Sequence, residues 1–231
     1  MKKMISLILV ICLLLSGVQV FAVNDTSDYL ISNVINTEAY SKEKIINLKT
    51  GEEEILESFV NEDGTLSFIA TSNKNVFHIE EENDNIVISE GAEVIQVIPV
   101  VKEKLETNEL QLNNEIMPLA WGAWSSPLVT YHDIAFEFGI SVGAMAGAIA
   151  TYLTKSLTIG KQMAVSFGTS VASGLVAAGL FNVYIKRSTR TRVDLANQLY
   201  AFERTESFYK YSNYSGFIDS KSDYWEGDAV N

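Results

Sequence analysis

The chain has little cysteine, proline or histidine: one Cys at position 12, three Pro, and two His, His78 and His132, in 231 residues. A lone thiol excludes an internal disulfide. The two histidines are far apart and have no companion at ligand spacing, so no metal set is expected. No glycine-rich phosphate loop follows a strand, and no serine stands in a nucleophile elbow. His132-Asp133 reads as boundary residues, and the glutamates at 52–54 and 80–82 read as solvated faces. The sequence therefore predicts no catalytic residue, no metal and no cofactor; an enzyme is not expected. A net charge of −12 repels nucleic acid and excludes it as a partner.

A more informative absence is local. Between Glu137 and Asp194 there is no acidic residue, and the window holds two charge-free apolar runs, 138–154 and 162–185, separated by Lys155 and Lys161. Lys155, Lys161, Lys186, Arg187, Arg190 and Arg192 give the window a charge of +6, whereas 23–119 has twenty Asp and Glu against six Lys, or −14. A soluble, negative front is joined to an apolar, positive module. At the start, Lys2 and Lys3 precede an apolar stretch ending in Val20-Phe21-Ala22, so 1–22 reads as a secretory signal and the mature chain as secreted.

In the front half, short β-branched and aromatic runs at 44–48, 55–60, 66–70, 76–79, 86–89 and 94–101 alternate with turn clusters such as Asn61-Glu62-Asp63-Gly64 and Glu82-Asn83-Asp84-Asn85. The pattern predicts a small antiparallel β-meander. The composition changes at 115–120, before Trp121. The expected division is a signal at 1–22, an acidic leader or pro-domain at 23–119, an apolar helical hairpin at 120–192, and a short helix with an aromatic polar tail at 193–231. The fold class expected is α+β.

In the apolar module, Gly139, Gly143 and Gly147 recur every fourth residue, and Ser166, Ser170, Gly174 and Ala178 repeat the spacing. Such strips let helix backbones approach closely, as they do in lipid. The six cations are the expected contacts to anionic headgroups, at about 1 kcal/mol each near a surface. Trp121, Trp124, Tyr131 and Tyr184 flank the runs where amphipathic rings settle at a membrane boundary.

The segment Asn114-Glu115-Ile116-Met117-Pro118-Leu119-Ala120-Trp121-Gly122-Ala123-Trp124, with the apolar runs behind it, resembles the precursors of large secreted bacteriocins of Gram-positive bacteria, of the geobacillin type. The resemblance implies killing of competitors by membrane damage after release of the C-terminal part. The sequence reading is a precursor held inactive by its acidic domain and processed near Pro118, Leu119 and Ala120. Its expected partner is the anionic membrane of target cells, with self-association and an immunity protein as further partners. Its departure from the family is the neutral charge of residues 120–231, nine acids against nine bases. Two other readings stand beside it: a single-span surface protein with the span at 162–185 and a β-rich binding domain outside, and a soluble interaction protein with both runs as core helices.

Overall fold

The computed structural model describes residues 28–73, 75–100, 121–157, 159–194 and 199–227. The first seven strands are β1 (Tyr29–Asn36), β2 (Tyr40–Asn47), β3 (Glu53–Val60), β4 (Leu66–Thr71), β5 (Val76–Glu82), β6 (Asn85–Glu90) and β7 (Glu93–Pro99). They pair in chain order as one antiparallel sheet, sheet A. Local chemistry explains the hairpins. Asn83 and Asp84 form a two-residue turn between paired Glu82 and Asn85, with φ of 46° and 64°. Positive φ at both central residues gives a turn whose twist matches that of the flanking strands. Alternation then sends Leu56, Phe68, Ala70, Ile79, Ile86 and Ile88 to one buried face.

That face receives helix α1 (Val142–Ser156), which lies on β3 to β6. Ser141 caps its start, its side chain accepting a bond from the Ala144 amide at 3.2 Å, which satisfies one of the orphan donors of the first turn. Helix α2 (Lys161–Ala177) packs against α1 and touches β1. A second antiparallel sheet, sheet B, has the order β11-β10-β9-β8, from β8 (Leu128–Ala135), β9 (Asn182–Asp194), β10 (Leu199–Tyr209) and β11 (Phe217–Gly227). Its inner face meets the helices: the Phe167 ring of α2 lies 4.9 Å from that of Phe208, and Arg187 of β9 donates to the Tyr152 hydroxyl of α1 at 3.0 Å. The helix pair is the middle layer, and a single apolar cluster runs from Ile45 of sheet A through both helices to Ile185 of sheet B.

This corrects the expected α+β class. The chain is mostly β, 53% strand, with eleven strands in two antiparallel sheets and two short helices among the described residues; it is not a β-leader followed by a helical hairpin. The short C-terminal helix expected after residue 192 is replaced by the end of β9 and by β10, and the aromatic tail is the β10–β11 hairpin. The second apolar run is not one helix. The Leu180 amide bonds the Leu175 carbonyl and the Gly179 amide bonds the Val176 carbonyl, with Gly179 at φ 69°. This left-handed cap closes α2. Residues 182–185 then enter β9, so the single-span reading lacks a continuous helix over 162–185. Among the described residues no helix is long and apolar enough to cross a membrane. Gly139 stands outside α1, at φ 99° in the loop before Ser141. Residues 1–22 and the processing region at Pro118, Leu119 and Ala120 lie outside the described residues.

Candidate functional site

The seam between sheet A and the helices combines glycine contacts with polar ties at the helix ends. Gly143 and Gly147 turn toward β4. A Cβ on Gly143 would sit 3.0 Å from the Ala70 Cβ, and one on Gly147 would sit 3.1 Å from both Cβ and Cγ of Phe68. The α1 backbone therefore lies tight against the sheet. Any larger residue at either position requires β4 or the helix to shift, in an interior packed as densely as a crystal.

Charge is matched along the same seam. Helix α1 has no acid in its own first turn. Glu54 of β3 supplies one, its Oε2 accepting from the Gly143 amide at 2.8 Å. The helix dipole favours an anion at that end. At the other end Lys155, the only basic residue in the last turn, pairs with Glu81 of β5. On α2, Thr169 donates to Glu43 of β2 at 3.1 Å. Burial pushes the Glu43 carboxyl above its ordinary range, and the Thr169 hydrogen bond opposes that rise. Gln162 donates to the Asn36 side chain at 3.0 Å, and Lys161 reaches the Thr37 carbonyl at 3.3 Å. At the sheet edge, Gln96 of β7 donates to the Ala135 carbonyl and accepts from the Glu137 amide.

The helices and sheet B are joined by different chemistry. Arg187, 1% exposed, donates to the Tyr152 hydroxyl of α1 at 3.0 Å and, within sheet B, through Nε to Glu206 at 2.6 Å. Burial raises the Tyr152 phenol, the Glu206 charge adds to the rise, and Arg187 opposes it. Between the helices, a Cβ on Gly168 would collide with the Ala146 carbonyl and lie 3.2 Å from the Ala150 amide. The α1–α2 crossing requires a residue without a Cβ at this point.

The residues expected to form one membrane-facing set are thus divided. Gly143 and Gly147 are covered by sheet A. Ser166 and Ala178 are exposed on the outward side of α2, and Ser170 and Gly174 are half-buried there, with Gly174 near only Ile218 of β11. Lys155 and Lys161 belong to the seam and Arg187 to the core. Lys186, Arg190 and Arg192 alternate with inward Arg187 and Thr189, and so lie on the outer face of sheet B. The expected interface aromatics gather on this outer face. Trp121 and Trp124 both stack on the Arg192 guanidinium, at 4.8 and 4.7 Å, and Tyr131 and Tyr184 both contact Tyr214. Sequence reading missed Glu43, Glu54, Glu81 and Gly168. The three glutamates have partners 126, 89 and 74 residues away, the last being 155 − 81, and Gly168 meets a different helix, so only the fold reveals them. Among the described residues no three His, Cys, Asp or Glu side chains gather as a metal set.

No protein-family model, no curated protein and no solved structure matches the chain.

Proposed function

We propose that the chain is a secreted antimicrobial precursor in which sheet A is a detachable cover over helix α1, and that separating the cover turns the remainder into a membrane-damaging species. The observation that carries this reading is the fit of Gly143 and Gly147 against Phe68 and Ala70, with Glu54 and Glu81 on the two ends of the same helix. Helix α1 is buried on all sides from Val142 to Leu153. A helix apolar all round is stable inside a protein or in lipid, and not in water. Removing one of its covering layers would leave an apolar groove that seeks a new partner. An anionic bilayer supplies apolar acyl chains and a counter-charge for the unpaired Lys155. At about 1.5 Å per residue α1 is roughly 22 Å long, shorter than a hydrocarbon core of about 30 Å, so the damage proposed is by insertion into the interface and self-association, not by single helices crossing. The resemblance of residues 114–124 to large bacteriocin precursors points the same way.

The test uses the folded full chain with a specific protease site placed within 115–120. Before the cut, vesicles of phosphatidylglycerol should retain their dye; after it, they should leak. Equal leakage before and after, or none in either state, would reject the cover.

A further inference from the structure

We propose that the outer face of sheet B binds an uncharged polysaccharide strand. This surface is separate from the seam, and the proposal holds whether or not sheet A is a cover. One aromatic row crosses the sheet: Tyr184 of β9, Tyr209 of β10 and Phe217 of β11 are cross-strand partners, and Tyr131 stands one outward position along β8. Along the row the Tyr209 and Phe217 centroids are 5.7 Å apart, edge to face, a spacing comparable to one sugar of an extended glycan. Large rings remain open: Tyr131 is 54% exposed and Phe217 58%. Exposed aromatic patches mark interaction surfaces.

The turn between β10 and β11 is shaped to complete this row. Tyr214 takes φ 56°, and its ring lands 4.5 Å from Tyr131 and 5.8 Å from Tyr209. That backbone conformation is costly for a residue with a bulky side chain. Gly216, at φ 66°, leaves room for the Tyr211 ring, which a Cβ would meet at 2.8 Å. Backbone strain in this turn therefore serves to place a ring on the surface.

The charges nearest the rings, Asp133 opposite Tyr184 and Lys186 opposite Tyr131, are of opposite sign. Ser188, Thr205 and Ser222 form the next outward row but one, with Thr205 and Ser222 2.8 Å apart, and Ser207 pairs with Ser220 between them. The charged residues of the face cancel, Lys186, Arg190 and Arg192 against Asp133, Glu203 and Glu226. Arg190 is already held by Glu203 at 2.8 and 3.0 Å. A face without net charge offers a phosphate-bearing surface little attraction. Ring faces suit the C–H faces of pyranoses, and phenol and hydroxyl groups suit their hydroxyls. A polysaccharide without charge matches both.

The experiment is sedimentation of the full chain with insoluble chitin and with cellulose, beside phosphatidylglycerol vesicles. The expected result is retention on at least one polysaccharide, competed by its soluble oligosaccharide. Combined Tyr131→Ala and Phe217→Ala should weaken it about tenfold, the worth of one or two ring contacts. Both positions are exposed, and an unchanged circular dichroism spectrum establishes that the variant folds. Retention on neither polysaccharide overturns the proposal, as does undiminished retention of the folded variant. Sedimentation with vesicles alone, lost in the variant, also overturns it and makes the face a lipid contact. Leakage by the cut protein tests the seam separately.

Discussion

Helices α1 and α2 are both rich in Ala and carry two Gly each, yet their surroundings differ. α1 is buried from Val142 to Leu153, whereas α2 leaves Gln162, Met163 and Ser166 exposed. The glycines follow this difference. Gly143 and Gly147 of α1 touch a sheet and Gly168 of α2 touches the α1 backbone, while Gly174 of α2 has only Ile218 at 3.9 Å. A small-residue strip is therefore not one kind of object. Where two layers close on a helix the strip sets their separation, and where one side is open it is a thin surface.

The sharpest way to break this comparison is at the buried pair of Arg187 on β9 and Glu206 on β10, whose arginine also donates to Tyr152 of α1. Arg187→Met leaves Glu206 charged and enclosed, and should cost about 3–5 kcal/mol. Arg190→Met, at a partly exposed pair, should cost about 1 kcal/mol or less. Urea unfolding of both variants checks it; equal losses would mean that burial is not what sets the worth of the pair. Next in size is the helix crossing. Gly168→Ala forces the backbones apart and should cost on the order of 3 kcal/mol, while Gly174→Ala should be neutral or stabilise by up to about 1 kcal/mol through helix propensity. A large loss at Gly174 would show that the outward face of α2 is covered after all.

The smallest effect concerns pH. The Glu43 carboxyl is raised by burial, so its neutral form suits the fold. The stability it contributes is complete below the ordinary carboxylate range and is lost as pH rises through the raised value. Glu43→Gln, which can still accept from Thr169, should therefore raise the melting temperature near neutral pH and leave it almost unchanged in acid, below the carboxylate range. A gain of equal size under both conditions would remove charge as the cause and would weaken the view of the seam as electrostatically tuned.

Much of sheet A is legible in the sequence because its information is local. Each of the runs from 44–48 to 86–89 overlaps a strand, and Asn83-Asp84 announces the turn that forms. β1 is not legible, since its apolar residues Tyr29, Leu30 and Ile31 are followed at once by Ser32 and Asn33, too short a run to mark a strand. The C-terminal half misleads for two reasons. Gly179 is a readable stop for α2, but it sits inside a run already rich in Gly and Ala, where one more glycine does not stand out. From Val183 to Arg190 the inward and outward positions alternate with period two, but Arg187 is inward and Arg190 outward, so hydrophobicity does not trace the alternation. A buried arginine hides a strand from any reading that equates charge with solvent.

The amino-acid order settled what each segment could be: an acidic meander with defined turns, two charge-free runs unfit for water, and an aromatic end. It could not settle what those runs would be buried against, because an apolar helix loses contact with water equally well in a bilayer or between two sheets. The tertiary structure decided in favour of the sheets for this form of the chain. Glu54 and Glu43 reach the helices across 89 and 126 residues of chain, and Arg187 meets Glu206 only when β9 and β10 pair. Contacts of that separation have no periodicity in the sequence, and they exist only once the layers have closed.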